Sequence, residues 1–127
     1  MGLLGKLFGA APSVTPDHVE DAETFRRVVL DSDLPVLLDV WSETCAPCRQ
    51  LAGVLVEVAT RHAGRVRVAE ISTSADPAVL ARLEVRATPT VIVFDQGQEV
   101  GRVVGFRPGS WFDEMIAAEF SERATER

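Results

Sequence analysis

Apolar positions along the chain switch between two periods. Residues 21–31 place Phe25, Val28 and Val29 at helical spacing behind Asp21, a residue type suited to capping a helix start. After Ser32-Asp33-Leu34-Pro35, the run Val36-Leu37-Leu38-Asp39-Val40-Trp41 is almost continuously apolar, as a central strand covered on both faces should be. Helical spacing returns from near Cys45 to about His62, with Leu51, Leu55, Val58, Ala59 and His62 on one stripe and Gly64 as the stop. Arg65–Ile71 alternates as a strand, with Val66, Val68 and Ile71 apolar. Residues 77–83 predict a short helix with Pro77 in its first turn. Thr90–Phe94 reads as a strand, joined through Asp95-Gln96-Gly97 to Glu99–Val104 as a hairpin. Ser110 then stands as the cap of a last helix carrying Trp111, Phe112, Met115, Ile116 and Phe120.

From residue 36 onward the order is β-α-β-α-β-β-α, with no repeat or linker. Elements alternating in this way pack as an α/β domain, a sheet between helical layers. A length of 127 residues fits one such domain. The expected division is a flexible extension over residues 1–15, a domain over 16–120 and a charged, frayed tail over 121–127. The junction between a central strand and the following helix is a favoured place for a site in such sheets, and Cys45 occupies one.

Composition narrows the function classes. The chain is 46% hydrophobic and 25% charged, with a formal net charge of −6. That balance argues against nucleic acid or an anionic membrane surface as the main partner. No apolar run approaches the roughly 18 residues needed to span a bilayer. The N-terminal stretch is apolar but interrupted by Gly5, Lys6 and Gly9, whereas a secretory signal places its basic residues before an unbroken apolar core. A cytoplasmic protein is therefore expected, with secretion the minor alternative. Lys6 is the sole lysine, and the other twelve basic residues are arginines.

The chain has two cysteines, three positions apart. A structural disulfide framework would use more cysteines and close longer loops, so the value of this pair is chemical. On the first turn of a helix, Cys45 meets free backbone N–H groups and the positive end of the helix dipole, which favour an anion. The thiolate is the nucleophile in disulfide exchange. Cys48, one turn inward, is placed to close a disulfide with Cys45 and to be shielded from outside attack. Pro47 suits the first turn and stiffens the ring.

The segment Trp41-Ser-Glu-Thr-Cys45-Ala-Pro-Cys48-Arg49-Gln50-Leu51-Ala52 resembles the active-site segment of thioredoxins. The resemblance continues through Ser32–Trp41, Ala63–Ala69, Val85-Arg-Ala-Thr-Pro-Thr90 and Gln96-Gly97, and covers about residues 16–120. It implies the thioredoxin fold, a central mixed sheet with helices on both faces. It further implies that Pro89 is a cis-proline facing the dithiol and aligning a substrate strand. Thr88 would touch the substrate or Cys45; a threonine there is more like glutaredoxins and disulfide isomerases. Gly105 and Phe106 match the substrate groove. Thr44, Ala46 and Pro47 would form its rim, and Asp39 matches a buried carboxylate behind Cys48. An acid inside an apolar strand is costly unless paired or protonated, so burial should raise its pKa and fit it to take and return a proton.

Departures from the family pattern alter the surroundings of the dithiol. Thr44 replaces a tryptophan of the contact surface, Ala46 a glycine, and Gly53 a helix-kinking proline. Glu70 stands where a lysine near the buried aspartate is usual. Two fates stay open for it: a proton shared with Asp39, or a carboxylate turned to water. Arg49 either helps hold Cys45 anionic or is a solvated helix residue. His18 and His62 have no second cysteine pair, so no metal site is expected.

These residues predict a monomeric protein-disulfide reductase with nucleophile Cys45 and resolving Cys48, and with no bound cofactor. The resemblance implies electrons from an NADPH-dependent flavoprotein reductase, a thioredoxin reductase. The alternatives are an oxidase or isomerase in an oxidising compartment, and a protein-binding adaptor on the same fold.

Overall fold

The computed structural model describes residues 12–126, with side chains as far as Phe120. Most of the expected extension, residues 1–11, lies outside the described residues. Five strands form one mixed sheet: β1 (Asp17–Val19), β2 (Val36–Trp41), β3 (Arg67–Ser72), β4 (Thr90–Asp95) and β5 (Gln98–Val104), in the order β1-β3-β2-β4-β5. β3 lies parallel to β1 and β2, whereas β4 is antiparallel to β2 and β5. The helices are α1 (Ala22–Phe25), which continues as a π-helical turn over Arg26–Leu30, α2 (Ala46–Arg61), α3 (Pro77–Leu83) and α4 (Gly109–Glu126).

The alternation along β2 divides the core. Leu38 and Val40 face one side, against Phe25, Val28 and Val29 of the first helical segment and Val79 and Leu83 of α3. Leu37 faces the other, with Leu51, Leu55 and Val58 of α2 and Phe112 and Ile116 of α4. Successive strand residues point to opposite faces, so Asp39 falls on the α2 side with Leu37.

Element boundaries differ from the sequence reading where local hydrogen bonds decide. Asp21 caps α1 as expected, in a reciprocal box with Thr24. The Asp31 N–H then reaches back five residues to the Arg26 carbonyl at 2.8 Å, so the second half of this helix is π-helical. The N–H groups of Arg65 and Val66 both bond the His62 carbonyl in the turn after α2, which delays β3 to Arg67. The Trp111 N–H bonds the Pro108 carbonyl, and α4 begins at Gly109. Ser110 thus sits inside the first turn and is not the cap. α4 continues to Glu126, through most of the segment set apart as a frayed tail. β1, three residues long, had no counterpart in the sequence reading.

The hairpin between β4 and β5 turns on Gln96 and Gly97, with φ of 53° and 79°. Both central residues at positive φ make the tight turn whose twist matches the flanking strands. A Cβ on Gly97 would also lie 3.0 Å from the Leu30 carbonyl oxygen.

Candidate active site

The carboxyl end of β2 delivers the chain to α2 through Ser42-Glu43-Thr44. The Thr73 N–H bonds the Trp41 carbonyl at 2.8 Å, and the hydroxyls of Ser72 and Ser74 each donate to Glu43 Oε2 at 3.0 Å. Those hydroxyls hold the Glu43 carboxyl below the usual range. Cys45 is the N-cap of α2, with extended backbone, and its Sγ accepts the Cys48 N–H at 3.2 Å. Pro47 falls in the first turn, where no intrahelical N–H is needed. The two cysteines form a disulfide with Cα atoms 5.2 Å apart. Cys48 is 3% exposed and Cys45 8%, so Cys45 is the more open residue of the pair, while Thr44, Ala46 and Pro47 are exposed around it.

A second wall faces the disulfide. The Thr88–Pro89 peptide bond is cis, the geometry the resemblance implies. The Thr88 carbonyl oxygen lies 3.6 Å from Cys45 Sγ, and the Thr88 hydroxyl bonds that of Ser42 at 3.0 Å. Gly105, at φ 94°, donates its N–H to the Pro89 carbonyl at 2.8 Å. Beside it Val104 and Phe106 are large apolar residues left open to solvent. The antiparallel register of β2 and β4, with Val40 opposite Thr90, brings this wall to the end of β2 where α2 starts. Thr88 thus touches Cys45, and Gly105 is tied to the neighbouring Pro89, with Phe106 next to it in sequence.

Behind the disulfide, Cys48, Asp39, Trp41, Arg49 and Glu70 line a cavity of about 480 Å³. Asp39 is 3% exposed and its Oδ1 has no hydrogen-bond partner. Burial pushes its carboxyl up to about 7, and the charge of Glu70, its register partner on β3, pushes the same way. Glu70 has two partners that the sequence reading did not weigh. Its Oε1 accepts the Trp41 Nε1–H at 2.5 Å, and its Oε2 lies 2.6 Å from His18 Nδ1. Both of its oxygens thus have partners other than Asp39, on which its charge acts from the neighbouring strand.

Arg49 is exposed at the edge of the cavity and makes no ion pair among the described residues. α2 runs unbroken through Gly53, where a Cβ would meet open space. His62 ends α2, with Nε2 2.7 Å from Asp113 Oδ1. Among the described residues no group of three or more His, Cys, Asp or Glu could hold a metal ion, and no helix is long and apolar enough to cross a membrane. The sequence reading missed His18 as a neighbour of this site. Its signal was weak, because His18 lies on a three-residue strand that shows no periodicity of its own.

Comparison with known proteins agrees with this geometry. The family model described as Thioredoxin matches residues 17–118. Thioredoxin 1 of Nostoc sp. is 42% identical over 93 residues, spanning 73% of this chain and 87% of that protein. The thioredoxin of Haemophilus influenzae is 40% identical over 91 residues, spanning 72% and 84%. Among solved structures, a mutant thioredoxin from Halobacterium salinarum superposes with a TM-score of 0.76 at 28% identity, covering 88% of this chain and 96% of its own. The thioredoxin of Malassezia sympodialis shares the fold, with a TM-score of 0.77 at 22% identity over 87% of this chain and 95% of its own. On the family match, the relatives and the closed Cys45–Cys48 pair, the chain belongs to the thioredoxin family.

Proposed function

We propose that the chain reduces protein disulfides in the cytoplasm, as a monomer recharged by an NADPH-dependent flavoprotein reductase. Family membership and the Cys45–Cys48 pair make it a dithiol–disulfide oxidoreductase, and its thioredoxin relatives support the reducing direction. One observation carries the reading: the Cys48 N–H points at Cys45 Sγ from the first turn of α2. In the reduced protein that N–H, with the helix dipole, favours a thiolate on Cys45.

The steps follow from the two walls. Cys45 thiolate attacks one sulfur of a substrate disulfide held along Pro89, Thr88, Gly105 and Phe106, with Thr44, Ala46 and Pro47 at the rim. One substrate thiolate leaves, and Cys45 is joined to the other half. Cys48 gives its proton to the Asp39 carboxylate and attacks Cys45 Sγ. The Cys45–substrate bond breaks, the second substrate thiolate departs, and Cys45–Cys48 is closed. Electrons pass through the disulfide itself, so the exchange needs no bound cofactor.

Thr44 and Thr88 favour a second reading, an isomerase or oxidase, since both depart from the usual thioredoxin surface. A measured reduction potential separates them, together with reduction of insulin disulfides by the protein recharged with dithiothreitol. A potential near roughly −270 mV with turnover supports the reductase, and one near −120 mV the oxidant. No turnover with Cys45 intact would favour a binding adaptor.

A further inference from the structure

His18, Glu70 and Asp39 form one row across three parallel strands. Glu70 of β3 is the register partner of His18 on β1 and of Asp39 on β2. Register partners on parallel strands point to the same face, at a strand spacing of about 4.8 Å. The row runs from solvent to core, with His18 56% exposed, Glu70 23% and Asp39 3%. Glu70 is fixed at its centre by His18 Nδ1 at 2.6 Å and by the Trp41 indole N–H. Its inner neighbour is the carboxyl that shares a cavity with Cys48.

We propose that His18 is a positioning residue for thiol exchange: by neutralising Glu70 it governs how readily Asp39 gives up and takes back the proton of Cys48. When His18 is protonated, the His18–Glu70 pair carries no net charge towards Asp39. When His18 is neutral, Glu70 faces Asp39 as an unbalanced like charge, and Asp39 holds its proton. Solvent pH then reaches a buried acid through a surface imidazole. Glu70 raises the His18 pKa through their hydrogen bond, against a smaller opposing effect of desolvation, and so favours the imidazolium.

The other charges around the row do not replace this control. Glu20, with Oε1 3.5 Å from His18 Nε2, favours the imidazolium further. Glu43 lines the same cavity but is bound to Ser72 and Ser74. Arg49, on α2, is the cation among the residues that line the cavity. His18 is the member of the set that changes charge between pH 5 and 8 without itself being buried.

The inference rests on the exchange reading for its consequence but not for its test. The Asp39 carboxyl is titrated by carbon NMR in the oxidised protein, where neither cysteine ionises. Variants are His18→Gln, His18→Lys, Glu70→Gln and His18→Gln/Glu70→Gln. His18→Gln is expected to raise the Asp39 midpoint by about half a pH unit, a roughly threefold change in its ionised-to-protonated ratio. His18→Lys should hold the midpoint at or below that of the wild type, and His18→Gln should have no effect once Glu70 is Gln. Resolution of the mixed disulfide at pH 6.5–7 should slow about two- to threefold in His18→Gln and recover in His18→Lys, in proportion to the ionised fraction of Asp39. A midpoint that stays put in His18→Gln, even with lowered thermal stability, overturns the proposal and leaves His18 a strand clip. An equal shift in the Glu70→Gln background overturns it too. The expected shifts in a protein without exchange activity would count against the functional reading and uphold the relay.

Discussion

The backbone N–H of Cys48 donates to the sulfur of Cys45 at 3.2 Å, so the attacking atom of the site is also the cap of its helix. A cap and a nucleophile make separable demands, because serine caps a helix as well as any residue but cannot exchange disulfides. Cys45→Ser should therefore keep the melting temperature of the reduced protein within a few degrees while insulin reduction falls to background. Cys48→Ser should instead trap a substrate on Cys45, seen by mass spectrometry as a covalent adduct that dithiothreitol removes.

Asp39 makes stability depend on pH. Its carboxyl titrates near 7 in the folded protein, well above the value of 3.8 expected of a free side chain. The folded state thus holds a proton that the unfolded chain has released, and stability falls as pH rises between about 4 and 7. The loss is at most about 4 kcal/mol, since each tenfold change in the protonation equilibrium is worth about 1.4 kcal/mol. Urea unfolding of the oxidised protein at pH 4 and pH 8 should show this fall in the wild type and a flat difference in Asp39→Asn. A parallel slope in the two proteins would remove Asp39 as its source.

Two glycines at positive φ should separate binding from stability. Gly105→Ala strains a residue at φ 94° that bonds the Pro89 carbonyl, so KM for protein disulfides should rise along with a loss of about 1 kcal/mol. Gly97→Ala presses a methyl against the Leu30 carbonyl, far from the dithiol, at φ 79°. That variant should melt lower with kcat/KM unchanged. Equal effects on KM would mean that Gly105 has no special place in the groove.

Phe112 is fully buried between α4 and the sheet, with Leu51, Leu55 and Val91 in the same core. Phe112→Ala should cost about 3–5 kcal/mol through lost burial and the cavity left behind. Calorimetry should show the melting temperature reduced by more than about 10 °C.

Much of this site was legible because its parts are local in sequence. The long apolar run of β2, the helical stripe of α2 and the Cys45-Ala46-Pro47-Cys48 segment are contiguous, and Pro89 sits inside a motif of its own. What escaped was made by register between distant strands. Trp41 and Glu70 are 29 residues apart and His18 and Glu70 are 52, and neither pairing leaves a mark on periodicity. The two fates weighed for Glu70 both assumed that its neighbours were Asp39 or water. β1, too short to show alternation, supplied a third. The start of α4 was misplaced for a smaller reason: Ser110 is a good capping residue, but the bond from Trp111 to Pro108 starts the helix two residues earlier, at Gly109.

The antiparallel pairing of β2 with β4 has a consequence for the chain as it is made. The two cysteines emerge some forty residues before Pro89, on a helix whose own backbone bonds are local in sequence. Until β4 docks alongside β2, the growing polypeptide owns a thiol pair but no surface to present a partner to it. Selectivity thus arrives later than reactivity, and closing the sheet is the event that turns a general nucleophile into a discriminating one.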